Sequence, residues 1–121
     1  MSRLLVVEDN QQIRTMLKTM GDMINMEVVF PDSFTKEGLK KALEDEGGVR
    51  LVISDGNLET PGFDGESVVK VVREILSDIP IVAYTSDYYL GSRMLSAGAQ
   101  VLISKPAPMR ILLGVLKGLS S

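Results

Sequence analysis

Five short apolar runs, each followed by a stretch of helical periodicity, leave this chain few ways to fold. The runs are Leu4-Leu5-Val6-Val7, Val28-Val29-Phe30, Leu51-Val52-Ile53, Ile81-Val82-Ala83-Tyr84 and Val101-Leu102-Ile103. A strand covered on one face alternates apolar and polar residues, whereas one covered on both faces is apolar throughout. After the first run, Ile13, Met16, Leu17, Met20 and Ile24 recur at three- and four-residue steps, and Asn10 is placed to cap that helix. Ser33 to Glu46 reads as a second helix with Leu39 and Leu43 inward, stopped by Gly47-Gly48. Val68, Val69, Val72, Ile75 and Leu76 form the stripe of a third, closed before Pro80. A fourth runs from about Tyr88 to Ala97 and ends at Gly98. Pro108 opens a fifth, with Met109, Leu112, Leu113 and Leu116 inward. Strands alternating with helices predict an α/β fold, a parallel sheet with helices on two faces. No repeat, linker or low-complexity tract interrupts the pattern, so residues 1–121 read as a single domain.

The missing residue types exclude chemistry. The 121 residues include no Cys, His or Trp. A Ser-His-Asp triad, a thiolate nucleophile and a zinc site of the usual nitrogen and sulfur kind are therefore impossible. Any metal must be a hard cation held by oxygen. A net charge of −3 gives no basic footprint for nucleic acid. No apolar run approaches the roughly 20 residues of a membrane span. The absence of cysteine and of a signal pattern at Met1 to Asp9 leads to the expectation of a cytoplasmic protein.

In open parallel sheets, sites form beyond the carboxyl ends of the strands. Here those ends carry Glu8-Asp9, Asp55, Thr85-Ser86 and Lys105. Taken singly, each has an ordinary reading. Glu8-Asp9 is a charged strand exit, Asp55 a turn residue, Thr85 or Ser86 a helix cap, and Lys105 a solvated lysine. Their joint occurrence, one element per strand end, points instead to one crevice. Three converging carboxylates repel one another unless a cation is present, and Mg²⁺ suits an all-oxygen donor set. One of the carboxylates could also act as a nucleophile toward a phosphoryl group, with Lys105 as a point charge and Thr85 or Ser86 as a hydroxyl donor.

Taken in order, these motifs resemble those of the response-regulator receiver domains of two-component signalling, in particular the chemotaxis-type single-domain regulators. The likeness runs from Leu4-Leu5-Val6-Val7-Glu8-Asp9-Asn10 to the last helix. It includes Asp55-Gly56-Asn57-Leu58 with Pro61-Gly62-Phe63-Asp64-Gly65, then Pro80 to Ser86, Gly98-Ala99 and Ile103-Ser104-Lys105-Pro106. The resemblance implies a flavodoxin-like strand order, 2-1-3-4-5, with five helices. It implies Asp55 as phosphoacceptor, and Mg²⁺ held by Glu8, Asp9, Asp55 and the backbone carbonyl of Asn57. Thr85, Ser86 and Lys105 would contact the phosphoryl group, and the Lys105-Pro106 bond would be cis. The implied donor is a phosphohistidine on a sensor histidine kinase or a histidine phosphotransfer protein. The implied readout is a downstream protein on the face of the fourth helix, fifth strand and fifth helix.

The chain departs from the family pattern at three places. Glu59-Thr60 is a two-residue insertion between Asp55 and Pro61. Leu102 stands where the family usually has Tyr or Phe, and Ser86 follows the switch Thr where Ala is common. The expected function is a phosphoacceptor module rather than an enzyme, acting by protein contact or as the receiver of a longer protein. One rival is a receiver-like adaptor that binds without being phosphorylated. The other is a haloacid-dehalogenase-type enzyme, which needs a second acid two residues beyond its nucleophile, where this chain has Asn57.

Overall fold

The strand runs pair as one parallel sheet in the order β2-β1-β3-β4-β5. This is the flavodoxin-like order. The computed structural model describes residues 2–44 and 48–120. In chain order the elements are β1 (Arg3–Val7), α1 (Gln11–Met23), β2 (Glu27–Val29), α2 (Lys36–Glu44) and β3 (Val49–Ser54). They continue with α3 (Gly65–Ile75), β4 (Ile81–Thr85), α4 (Tyr88–Ala97), β5 (Val101–Ser104) and α5 (Met109–Ser120).

The unbroken apolar runs have a direct explanation in the two cores. Leu5, Val7, Val52 and Ala83 face α2, α3 and α4, meeting Leu39, Leu43, Val68, Val69, Val72 and Met94. Their neighbours Leu4, Val6, Leu51, Ile53, Val82 and Tyr84 face α1 and α5, meeting Leu17, Met20, Leu112 and Leu116. Successive strand residues point to opposite faces, so both must be apolar.

Several boundaries differ from the sequence expectation for local reasons. The second helix starts at Lys36 rather than Ser33, because the Thr35 hydroxyl takes the capping role and accepts from the Gly38 N–H at 3.0 Å. Its expected end at Glu46 and the first glycine of the expected stop, Gly47, lie outside the described residues. Ile24 falls just past α1, as its C-cap, and Asn25 turns the chain at φ 58°. Met109 is 48% exposed rather than inward: it shares the helix face of Leu112 and Leu116 but is the first residue of α5. Of the α1-region methionines, Met20 and Met26 are buried whereas Met23 is exposed.

Two other caps follow the sequence closely. The Asn10 side chain accepts from the Ile13 N–H at 3.0 Å, and the Asp64 side chain accepts from the Ser67 N–H at 3.1 Å. Connections from β1 and β3 leave toward opposite edges of the sheet, and the crevice opens beyond these two carboxyl ends.

Candidate functional site

Glu8 and Asp9 leave the end of β1, Asp55 follows β3, Thr85 ends β4, and Lys105 follows β5. All five line one open crevice of about 710 Å³, together with Asn10, Ile13, Asn57, Glu59, Ser86, Asp87 and Tyr88. The positions are as much as 97 residues apart in sequence and meet because parallel strands end at a common edge.

Lys105 is the centre of the arrangement. Its ammonium donates to Glu8 Oε1 at 2.7 Å and to Asp55 Oδ2 at 3.0 Å. It also lies 5.3 Å from the Tyr84 ring centroid, within cation–π range. The peptide bond to Pro106 is cis. Burial alone pulls the Lys105 ammonium downward, but the bonds to Glu8 and Asp55 and their charges outweigh it, so the pKa is raised and the group stays charged.

Glu8 is almost wholly buried, at 3% exposure. Burial pushes its carboxyl up, and the charge of Asp55 adds to this. Bonds from Lys105 and from the Asn10 N–H, the latter at 3.1 Å, offset only part of it. Asp55 is held on its other oxygen. Oδ1 accepts from the Gly56 N–H at 2.7 Å and from the Asn57 N–H at 3.3 Å.

One oxygen each from Glu8, Asp9 and Asp55 lie within 4.8 Å of one another. Three carboxylates thus share one ammonium, which leaves the cluster short of positive charge. The donor set is all oxygen and half-buried or deeper, which fits a hard divalent cation such as Mg²⁺ and not a thiophilic metal.

Thr85 is buried, and its hydroxyl accepts from the Asp87 N–H at 3.1 Å. Ser86 is exposed on the rim. Neither caps α4. That role belongs to Asp87, whose carboxylate accepts from the Leu90 N–H at 3.0 Å.

Sequence reasoning passed over Gly56 as a shaping residue. A Cβ there would lie 2.9 Å from Leu90 Cβ and 3.1 Å from Thr85 Oγ1, so only glycine lets α4 and β4 close over the Asp55 backbone. Gly65 does the same from α3, where a Cβ would meet Met94 Sδ at 2.5 Å and the Asp55 carbonyl oxygen at 2.6 Å. The glycines were visible in the sequence, but their neighbours on α4 were not. The Glu59-Thr60 insertion, expected to alter the loop beside Asp55, brings Glu59 to the crevice, whereas nothing in the sequence marks Asp87 and Tyr88 as lining residues, since loop paths decide which side chains reach a rim.

The insertion forms an ordered turn. Asn57 Oδ1 accepts from the Glu59 N–H at 3.1 Å, Glu59 itself has φ 54°, and Thr60 bridges to Phe63. Leu102 packs across α4, with Cδ1 2.6 Å from where a Cβ on Gly91 would sit.

Three solved structures are similar to this chain over nearly its whole length. A chemotaxis protein of Vibrio cholerae, CheY4, is 27% identical with a TM-score of 0.79, and 98% of each chain is covered. A CheY-like receiver domain protein of Methanospirillum hungatei is 24% identical with a TM-score of 0.80, over 98% of this chain and 92% of that one. The receiver domain of a Pseudomonas aeruginosa sensor histidine kinase, with a magnesium ion coordinated in its active-site cleft, is 24% identical with a TM-score of 0.78, over 98% and 96%. A search of curated proteins gives no match. The family model for the response regulator receiver domain matches residues 4–117, nearly the whole chain. With its 2-1-3-4-5 sheet and its acidic cluster around Asp55, this chain belongs to the response regulator receiver domain family, a signalling domain of two-component systems rather than a catalytic enzyme.

Proposed function

We propose that residues 1–121 act as a single phosphoacceptor unit in which Asp55 takes a phosphoryl group from a phosphohistidine of a sensor histidine kinase or a histidine phosphotransfer protein. Residues 1–121 contain no His, so the donor histidine lies outside them. In the transfer, the bond from phosphorus to the histidine nitrogen breaks, the nitrogen keeps the electron pair, and an Asp55 carboxylate oxygen forms the new bond. The observation that carries this reading is the Lys105 ammonium bridging Glu8 and Asp55 while Asp9 completes the oxygen cluster.

Glu8, Asp9, Asp55 and the Asn57 carbonyl would hold Mg²⁺. Such an ion would supply positive charge against the phosphoryl oxygens. Lys105 neutralises a further oxygen. The Gly56 and Asn57 amides orient the Asp55 carboxylate through Oδ1. Thr85, with Ser86 beside it, offers a hydroxyl to the modified carboxylate, and its bond with Asp87 ties that event to the start of α4.

The readout surface in this reading is α4, β5 and α5. Leu95 on α4 and Ile111 on α5 are exposed apolar side chains, and β5 is an edge strand. Moving such a switch from 1:99 to 99:1 takes about 5.5 kcal/mol of bias from phosphorylation.

Incubation with a small phosphodonor and Mg²⁺ followed by intact mass is the direct test. A single adduct on Asp55 is expected. A protein that binds partners but takes no adduct would instead be a receiver-like adaptor.

A further inference from the structure

Glu59 sits on the two-residue extension of the β3–α3 loop and lines the crevice from that side, with Asp87 and Tyr88 lining it from the β4–α4 side. Its position is built rather than incidental. The Asn57 side chain accepts the Glu59 N–H, the Thr60 hydroxyl donates to the Leu58 carbonyl at 3.3 Å, and Thr60 bridges to Phe63. Among the described residues no ammonium or guanidinium forms an ion pair with Glu59. The one cation of the crevice, Lys105, is already bonded to Glu8 and Asp55. The crevice is thus lined on its β3–α3 side by a carboxylate that no cation among the described residues neutralises.

We infer that Glu59 is a donor-selecting residue, which holds back small, doubly charged phosphodonors more than singly charged ones. The inference rests on Asp55 being the phosphoacceptor. Because the repulsion is Coulombic, it scales with the charge of the donor and fades with salt. For a carboxylate about 8 Å from the reacting phosphorus, a separation chosen for scale, the repulsion at low salt slows a monoanion about twofold and a dianion about fourfold. Near 1 M salt the screening length is about 3 Å, and the effect disappears.

The test compares wild type, Glu59→Gln and Glu59→Gly by the initial rate of adduct formation, read by intact mass at saturating Mg²⁺. The donors are acetyl phosphate, close to a dianion at neutral pH, and phosphoramidate, a monoanion. In each case the phosphorus bond to the leaving group breaks, the electron pair departs with acetate or with the nitrogen, which takes up protons, and an Asp55 oxygen forms the new bond. Both variants are expected to gain about fourfold with acetyl phosphate and about twofold with phosphoramidate at low salt, and nothing near 1 M salt. Equal gains for the two donors, gains that persist in high salt, or a gain in Glu59→Gly alone would overturn the inference, the last by assigning the effect to the φ 54° backbone. Wild type that takes no adduct from either donor would remove the phosphoacceptor reading itself.

Discussion

At the scale of single residues, the crevice is a charge-balance problem with one solution in view. Glu8 has little access to water, and its carboxyl is pushed up by burial. It remains useful as an anion because Lys105 and the Asn10 N–H stand against it. Asp55→Asn keeps the shape and removes the nucleophile, so the phosphoryl adduct should vanish from the mass spectrum while the circular dichroism is unchanged. Asp9→Asn removes one charge from the oxygen cluster, and Mg²⁺ affinity measured by calorimetry should fall about tenfold or more. Lys105→Ala should slow phosphoryl uptake more than it lowers the melting temperature. The crevice is open, and Glu8 can take up a proton when its counter-charge is lost, which limits the stability cost that a fully buried broken pair would carry.

The residue scale also shows what a single chain of letters can convey. Asp55 and Lys105 stood out because each sits at the end of an apolar run, and strand ends in parallel sheets meet. Gly56 did not, because its importance depends on Leu90 and Thr85, and the Glu59-Thr60 insertion showed as extra loop length without showing which side chain it brings to the crevice.

At the scale of elements, α4 is held by glycines on three sides. Leu90 rests on Gly56, Met94 on Gly65, and Leu102 of β5 fills the space over Gly91. An aromatic side chain at position 102 would compete for that space, so Leu102 and Gly91 read as a matched pair. Gly91→Ala alone sets a helix-propensity gain of about 1 kcal/mol against an overpacking cost of about 1–3 kcal/mol. With Leu102→Ala the cavity accepts the methyl group and only the gain remains. A double-mutant cycle by urea denaturation should give a coupling of about 1 kcal/mol or more, and additive effects would refute the pairing. In contrast, Gly114 of α5 has nothing within 4 Å of an added Cβ. Gly114→Ala should therefore stabilise the fold by about 0.5–1 kcal/mol in the same assay.

Element boundaries were less legible than element identity. Each helix in the sequence reading is a helix in the structure, because a stripe of apolar residues is a property of many positions together. The start of α2 moved from Ser33 to Lys36 because one hydroxyl, Thr35, won the cap from its neighbours. Met109 was misplaced because the first turn of a helix has not yet committed its side chains to a face. Competition among near-equal local choices is settled by fractions of a kcal/mol.

For the whole molecule, the two cores divide the helices into α1 and α5 on one side of the sheet and α2, α3 and α4 on the other. The crevice lies at the end of the central strands, so a change at Asp55 reaches whichever helix touches its backbone. Two helices are placed to respond: α3 begins at Gly65 against the Asp55 carbonyl, and α4 packs on Gly56 and Gly65 and is tied to Thr85 through Asp87. With beryllium trifluoride as phosphoryl mimic, changes in amide hydrogen exchange should concentrate in α4 and the β4–α4 loop and leave α2 unaffected. Changes spread evenly over both layers would exclude α4 as the reader. No helix among the described residues is long and apolar enough to cross a membrane.

The alternation of apolar runs and helical stripes, and the residue types at the strand ends, were determined by the sequence alone. They follow from local periodicity and from the chemistry of the side chains, neither of which needs a neighbour far along the chain. Only the tertiary structure decided that Lys105 bridges Glu8 and Asp55, that α4 rests on Gly56 and Gly65, and that Glu59 reaches the rim. Those contacts join segments whose meeting depends on packing and loop path, and no local pattern encodes a distance between them.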